Sequence, residues 1–362
     1  MGRAKTDVQQ RPENQYQPLW SVDPGVAVER LPALPATRDF RVPPFVGSER
    51  RSPEGDTHGE RETDRRSRDE RWGPPRADLD RRTATLAVGA LALALAVTIQ
   101  VFGLQLTPDR MLLVLLVPAL VLRRARLFLR DFVPFAALII LYAECRGLAH
   151  SLRPIPHYMP QLDAERFLFG GHVPSTLLQH NVWRGEHRWY DTVLFDTTQV
   201  HSIVPPTLAF LLWMKRRALF YRFAATILAL SYAAVVVFVL FPSAPPWAAP
   251  IGVTRLGASA SSLPYLAPVS LYHVIDSNPY AAIPSLHGGY SFLVFLFLSA
   301  LAWRTRWRWR VVAVTALYPL VQSFAAVYTG NHYVVDLFAG YAFAAAAMFG
   351  VRAIWRRRGL PE

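Results

Sequence analysis

Lysine and cysteine are nearly absent from this chain of 362 residues. Cys145 is the single cysteine, which excludes an intrachain disulfide and a cysteine-based metal site. Lys5 and Lys215 are the two lysines, so almost every cation is arginine, a pattern that reads as coding bias. No apolar core occurs in the first 30 residues, so no cleavable signal peptide is expected and the first apolar segment serves as its own targeting signal. No internal repeat of the kind seen in many transporters is evident. No cluster with metal-ligand spacing stands out, and neither a cofactor nor a metal is expected. The net charge of +13 is not a nucleic-acid signature, because the arginines flank apolar runs, as membrane topology requires.

What is present falls into two unlike parts. Residues 1–82 are crowded with Arg, Asp, Glu and Pro, as in Arg61-Glu-Thr-Asp-Arg-Arg-Ser-Arg-Asp-Glu-Arg71. Such a stretch buries too little apolar surface to offset ordering entropy, and a disordered cytoplasmic tail is expected. Residues 83–355 are dominated by Ala, Leu, Val and Phe. They predict an all-α, polytopic membrane helix bundle with about eight segments: Thr83–Leu104, Met111–Leu122, Phe132–Ala149, Thr198–Met214, Leu219–Phe241, His287–Trp303, Val311–Tyr328 and His332–Ile354. The second is short and contains Pro118. Basic clusters at Arg81-Arg82, Arg123–Arg126, Lys215–Arg217, Arg304–Arg310 and Arg356–Arg358 fall at alternate ends. With eight spans every cluster is cytoplasmic, as are both termini of a plasma-membrane protein.

Two outer loops are expected. In residues 151–197, the pattern from Ala164 to Phe169 predicts a short amphipathic helix, ended by Gly170-Gly171 and Pro174; it either lines a lipid entrance in the interface plane or packs as an ordinary loop. In residues 242–285, Phe241-Pro-Ser-Ala-Pro-Pro-Trp247 ends the fifth segment, Trp247 suits the headgroup level, and the Ser/Pro/Leu-rich remainder is expected over the outer mouth.

The chemistry concentrates in Tyr328-Thr-Gly-Asn-His332-Tyr-Val-Val-Asp336-Leu-Phe-Ala-Gly340. Helical spacing would place His332, Asp336 and Gly340 on one face, with Asp336 holding one imidazole nitrogen and Gly340 admitting a close neighbour. Ionisable residues in an apolar segment are functional candidates. A second histidine, in Pro284-Ser285-Leu-His287-Gly-Gly289, opens the sixth segment at the same expected depth. Such a pair suits phosphoryl transfer. His332 would attack phosphorus and form a phosphohistidine, and His287 would serve as acid and base. Ser285 and the helix N-terminus beside it would hold phosphate.

These residues resemble the second and third motifs of the type 2 phosphatidic acid phosphatase superfamily. Tyr142-Ala-Glu-Cys-Arg146, Phe169-Gly-Gly-His-Val-Pro174 and Phe241-Pro-Ser-Ala-Pro-Pro-Trp247 resemble motifs of its inositol phosphorylceramide synthase-like, inositolphosphotransferase branch. The resemblance implies a metal-independent lipid phosphatase or phosphotransferase with His332 as nucleophile, Asp336 as its partner and His287 as acid/base. It implies a lipid phosphate substrate, an inositol-type alcohol acceptor, and a site on the outer face among membrane lipids. Tyr142, Arg146, His201, Asn331 and Ser285 are the expected substrate-binding residues. His201 reads equally as a structural histidine bonded to a neighbouring helix, and Arg146 as a boundary arginine. The superfamily's first motif, a Lys followed by Arg-Pro, is missing, and Ala326 stands where its third motif carries Arg. Arg146 is the expected substitute, since guanidinium matches phosphate in bidentate fashion. The competing reading is a transporter or channel using the His/Asp cluster as a proton relay; a catalytically dead scaffold is a third. Composition sets no oligomeric state.

Overall fold

Helix signals in the sequence become helices almost throughout. The computed structural model describes residues 80–360 apart from 105, 153–154, 258–277 and 279. The described residues lie in one compact unit, Thr57–Glu362. The expected disorder before residue 80 and the expected cover formed by residues 258–277 fall outside the described residues.

Asp80 caps α1 (Arg81–Phe102), its Oδ1 accepting from Thr83 N at 2.7 Å, so the helix starts within the arginine pair expected to flank it. Then come α2 (Pro108–Val121) and α3 (Ala125–Leu152). Three short helices follow: α4 (Met159–Leu168), α5 (Pro174–Val182) and α6 (Trp189–Gln199). A 3₁₀ turn, Val200–Ser202, leads into α7 (Val204–Lys215), and α8 (Arg217–Leu240) returns. The last three are α9 (Leu286–Ala302), α10 (Arg308–Tyr328) and α11 (Val334–Arg357).

The chain is an integral membrane protein. Among the described residues, five helices, α1, α3, α8, α10 and α11, are long and apolar enough to cross a bilayer. The expected count of eight is not reached by length. The 14, 12 and 17 residues of α2, α7 and α9 rise about 21, 18 and 26 Å, against a hydrocarbon core of about 30 Å. The expected segment Thr198–Met214 is not one helix: it is broken at the 3₁₀ turn, where Pro205 and Pro206 begin α7. The outward faces are apolar, with Leu86 and Leu93 of α1 64% and 67% exposed.

Two features hold the bundle. At one end, Phe128, Phe132, Phe210, Trp213 and Phe220 pack together, with Phe132 stacked 4.4 Å from both Phe128 and Phe220. Among them lies buried Asp131, which accepts from Arg217 Nε (2.7 Å), Arg217 Nη2 (2.7 Å), Trp213 Nε1 (2.9 Å) and the Tyr221 hydroxyl (2.6 Å). This ties α3 to α7 and α8. At the other end, α9 sits between α8, α10 and α11. Gly288, Gly289 and Gly340 make the crossing of α9 and α11 close, as expected of Gly340. A Cβ at Gly289 would lie 3.3 Å from Gly340 O, and one at Gly340 would overlap Ser285 O.

Candidate active site

The site forms where the segment before α9 meets the turn before α11. The Phe241–Trp247 motif builds the first half. Fully buried Ser243 accepts from Ile283 N through Oγ (2.9 Å) and from Ala282 N through its carbonyl (3.3 Å), and its N–H donates to Tyr280 O (2.9 Å). Residues 280–283 are therefore held against the motif, and Ser285 caps α9, with Gly288 N donating to its Oγ at 3.3 Å. For the second half, Gly330 turns the chain at φ 76°, and the N–H groups of Asn331 and His332 both donate to Ala326 O, at 3.0 and 3.2 Å. Ser285 N to Asp336 O, 2.9 Å, joins the halves.

The two expected histidines meet. His287 Nδ1 lies 2.9 Å from His332 Nε2, with ring centroids 5.0 Å apart. His332 Nδ1 lies 3.0 Å from the Ala282 carbonyl oxygen, which can only accept. The proton of neutral His332 therefore sits on Nδ1, and Nε2 presents a lone pair to the Nδ1–H of His287. His201 completes a row of three rings: its centroid is 4.3 Å from that of His287. Its Nδ1 donates to Thr198 O at 2.6 Å, and that carbonyl also accepts from buried Gln322 Nε2 at 3.1 Å. His201 is thus tied to the end of α6, three residues before it, with its ring beside that of His287.

Asp336 differs from expectation. Its Oδ2 is 3.7 Å from His332 Nδ1, within ion-pair range, but the ring's hydrogen bond goes to Ala282 and Oδ2 accepts from Tyr333 N at 2.9 Å. The reason is local. Helix α11 starts at Val334, so His332 is not helical and the i,i+4 face does not extend back to it.

The other expected residues are each engaged elsewhere. Arg146 donates from Nη2 to Asn278 O at 3.3 Å, accepts from Asn278 Nδ2 on its own carbonyl at 2.8 Å, and lies within electrostatic reach of His201, His287 and Tyr290. Tyr142 hydrogen-bonds Tyr290, whose hydroxyl meets Ser231 Oγ at 2.7 Å. Asn331 turns aside, donating from Nδ2 to Thr329 Oγ1 at 2.9 Å. Ser285 is fully buried and its oxygen is engaged in the cap. Among the described residues, no group of three or more His, Cys, Asp or Glu side chains is arranged to hold a metal ion.

Two residues escaped the sequence reading. Gln179, on α5, clamps the loop at Thr254 to the turn after α10, donating to Thr254 O (2.8 Å) and Tyr328 O (2.9 Å) and accepting from Thr254 N (2.9 Å). Glu165, fully buried on α4, accepts from Val335 N at 3.0 Å. Burial pushes its carboxyl up to about 7; the Val335 and Val334 N–H groups pull the other way, and the Asp336 charge adds to the rise. The i,i+4 polar pair Gln161 and Glu165 was the available signal. The expected amphipathic helix is real, but it turns that pair and Leu162 inward and leaves Phe167 86% exposed.

A family model described as the PAP2 superfamily matches residues 163–350, just over half of the chain. The chain belongs to the PAP2 superfamily. The match runs from within α4 to within α11 and leaves out Tyr142, Arg146 and Gln161. This PAP2 superfamily chain is also similar to the phosphoinositol dihydroceramide synthase of Bacteroides thetaiotaomicron, with 26% identity over 197 residues. That region is 50% of this chain and 62% of the relative, so the chain spans less than two thirds of the relative's length. No solved structure matches it.

Proposed function

We propose that this protein is a membrane lipid phosphotransferase that forms a phosphohistidine at His332 and passes the group to an alcohol acceptor. The observation that carries the reading is the 2.9 Å contact between His287 Nδ1 and His332 Nε2. Two imidazoles, one from the first turn of α9 and one from the turn before α11, meet at that contact, and the nucleophilic lone pair is already defined.

Each half-reaction balances. His332 Nε2 attacks phosphorus, the bond from phosphorus to the leaving lipid oxygen breaks, and His287 gives that oxygen a proton. His287 does this as an imidazolium, and loss of the Nδ1 proton leaves the neutral ring. The negative charge of a bound phosphate favours that imidazolium. The acceptor hydroxyl then gives its proton to neutral His287 and attacks phosphorus, and the N–P bond breaks. Both rings return to their starting forms. Substrate arrival parts the nitrogens, since phosphorus and the leaving oxygen must stand between them. Asp336, 3.7 Å from the His332 ring, stabilises the cation that develops there. Arg146 balances phosphate charge.

The relative's name supports a phosphoinositol group as the one transferred and a ceramide-type alcohol as acceptor. The alternating arginine clusters support eight crossings, with α2, α7 and α9 tilted or set in thinned bilayer, cytoplasmic termini and an outward-facing site. The test is mass spectrometry of products from purified protein in vesicles holding phosphatidic acid, phosphatidylinositol and dihydroceramide. The expected product is a phosphoinositol-bearing dihydroceramide, with about 10²–10⁴-fold less from His287→Ala and none from His332→Ala. Free phosphate alone would replace the transferase by a phosphatase, and undiminished turnover in either variant would remove the mechanism.

A further inference from the structure

Behind the histidine pair, α4 presses a polar face onto the first turn of α11. Glu165 Oε1 accepts from Val335 N at 3.0 Å, and the Val334 N–H also contributes. Asp336 Oδ2 takes Tyr333 N at 2.9 Å. The first orphan amides of the nucleophile's helix are thus divided between one local carboxyl and one brought from 170 residues away. The remaining polar atoms of the cluster are not satisfied. Glu165 Oε2, Asp336 Oδ1, the Tyr333 hydroxyl and both amide atoms of Gln161 are buried with no hydrogen-bond partner among the described residues. Arg166 of α4 is the cation whose charge reaches Tyr333. The titratable groups facing Glu165 from α11 and the residue before it are Asp336 and Tyr333.

We propose that Glu165 is a positioning residue for the transfer reaction, acting through the first turn of α11 rather than on the substrate. The inference rests on the phosphohistidine reading above. When ionised, Glu165 makes charge-assisted bonds to the Val334 and Val335 amides. It fixes the turn that sets Asp336 beside His332 and adds a second negative charge behind the ring that becomes cationic. When protonated, it keeps the shape of the contact but loses both effects. The side chain's ordinary value is lifted by burial toward neutrality. The change of state therefore falls near neutral pH, and catalysis becomes coupled to pH through a group that never touches phosphorus.

Glu165→Gln tests this, because the amide copies the protonated acid in shape and can still accept from Val335 N. Wild type and variant are assayed in vesicles of phosphatidylinositol and dihydroceramide from about pH 5.5 to 8.5, with His332→Ala as the blank. The ratio of wild-type to variant kcat is expected near one below about pH 6, rising to about tenfold above about pH 8, as a charge-assisted bond is replaced by a neutral one. His332-dependent transfer with a ratio constant across this range overturns the proposal alone, leaving Glu165 a packing residue. Absence of transfer in the wild type, or transfer retained by His332→Ala, overturns the functional reading and the proposal with it.

Discussion

Replacing Gly340 by alanine should silence the enzyme while leaving its chemical groups intact. Gly340 is where α11 meets the cap of α9. A Cβ built there overlaps the Ser285 carbonyl oxygen and lies 3.1 Å from Gly289 N, both main-chain atoms that no rotamer change can move aside. Relieving the overlap requires the helices to part by about 1 Å. That displacement acts on residues 285–287 and 332–336, which set the 2.9 Å contact of the histidines. A misplacement of about 1 Å at reacting groups lowers rate by about 10²-fold, and overpacking destabilises by about 1–3 kcal/mol. Gly350, on the same helix with nothing within 4 Å of its Cβ direction, is the control. Gly350→Ala should retain full turnover and gain up to about 1 kcal/mol from helix propensity. Lipid transfer in vesicles and apparent Tm in detergent would be read for both. Wild-type turnover in Gly340→Ala would refute the reasoning, because the crossing would then not set the histidine geometry.

Two further perturbations probe stability. Arg217→Met leaves the buried Asp131 carboxylate with Trp213 and Tyr221 as donors and the exposed Arg130 side chain 3.6 Å away, and should destabilise by about 3–5 kcal/mol, with Arg217→Met/Asp131→Asn recovering part of the loss; a loss below about 1 kcal/mol in the single variant would contradict it. Glu165 should lower stability as pH rises. A carboxyl lifted from 4.5 to about 7 in the folded state stabilises the fold below about pH 4.5 and loses that contribution by about pH 7. At about 1.4 kcal/mol per tenfold change in ionisation, the loss is at most about 3 kcal/mol, and polar surroundings reduce it. The difference in apparent Tm between wild type and Glu165→Gln, scanned from pH 4.5 to 7.5, should show this fall; a difference independent of pH would remove the burial argument.

Local chemistry was readable from the sequence, and long-range chemistry was not. His287 and His332 were found because each opens an apolar run, and ionisable groups stand out there. Helices α1, α3, α8, α10 and α11 were found from hydropathy. The break at Val200–Ser202 was missed because three residues, Val-His-Ser, are too few to interrupt the apolar run in which they lie. The bond of His332 to Ala282 was missed because it depends on where α11 starts, and boundaries are the least reliable part of any such reading. Glu165 and Gln179 were missed because their partners, Val335 and Thr254, are far away in the chain. No periodicity reports a cap supplied from another helix.

The resting contact between the two rings has its own consequence. The lone pair on His332 Nε2 is clasped by its neighbour's N–H. A stray electrophile or a water molecule finds no bare nitrogen to exploit. Under the proposed mechanism, only a molecule whose charge draws a proton onto His287 and prises the rings apart would uncover the reactive atom, tying exposure of the nucleophile to the arrival of a group to transfer.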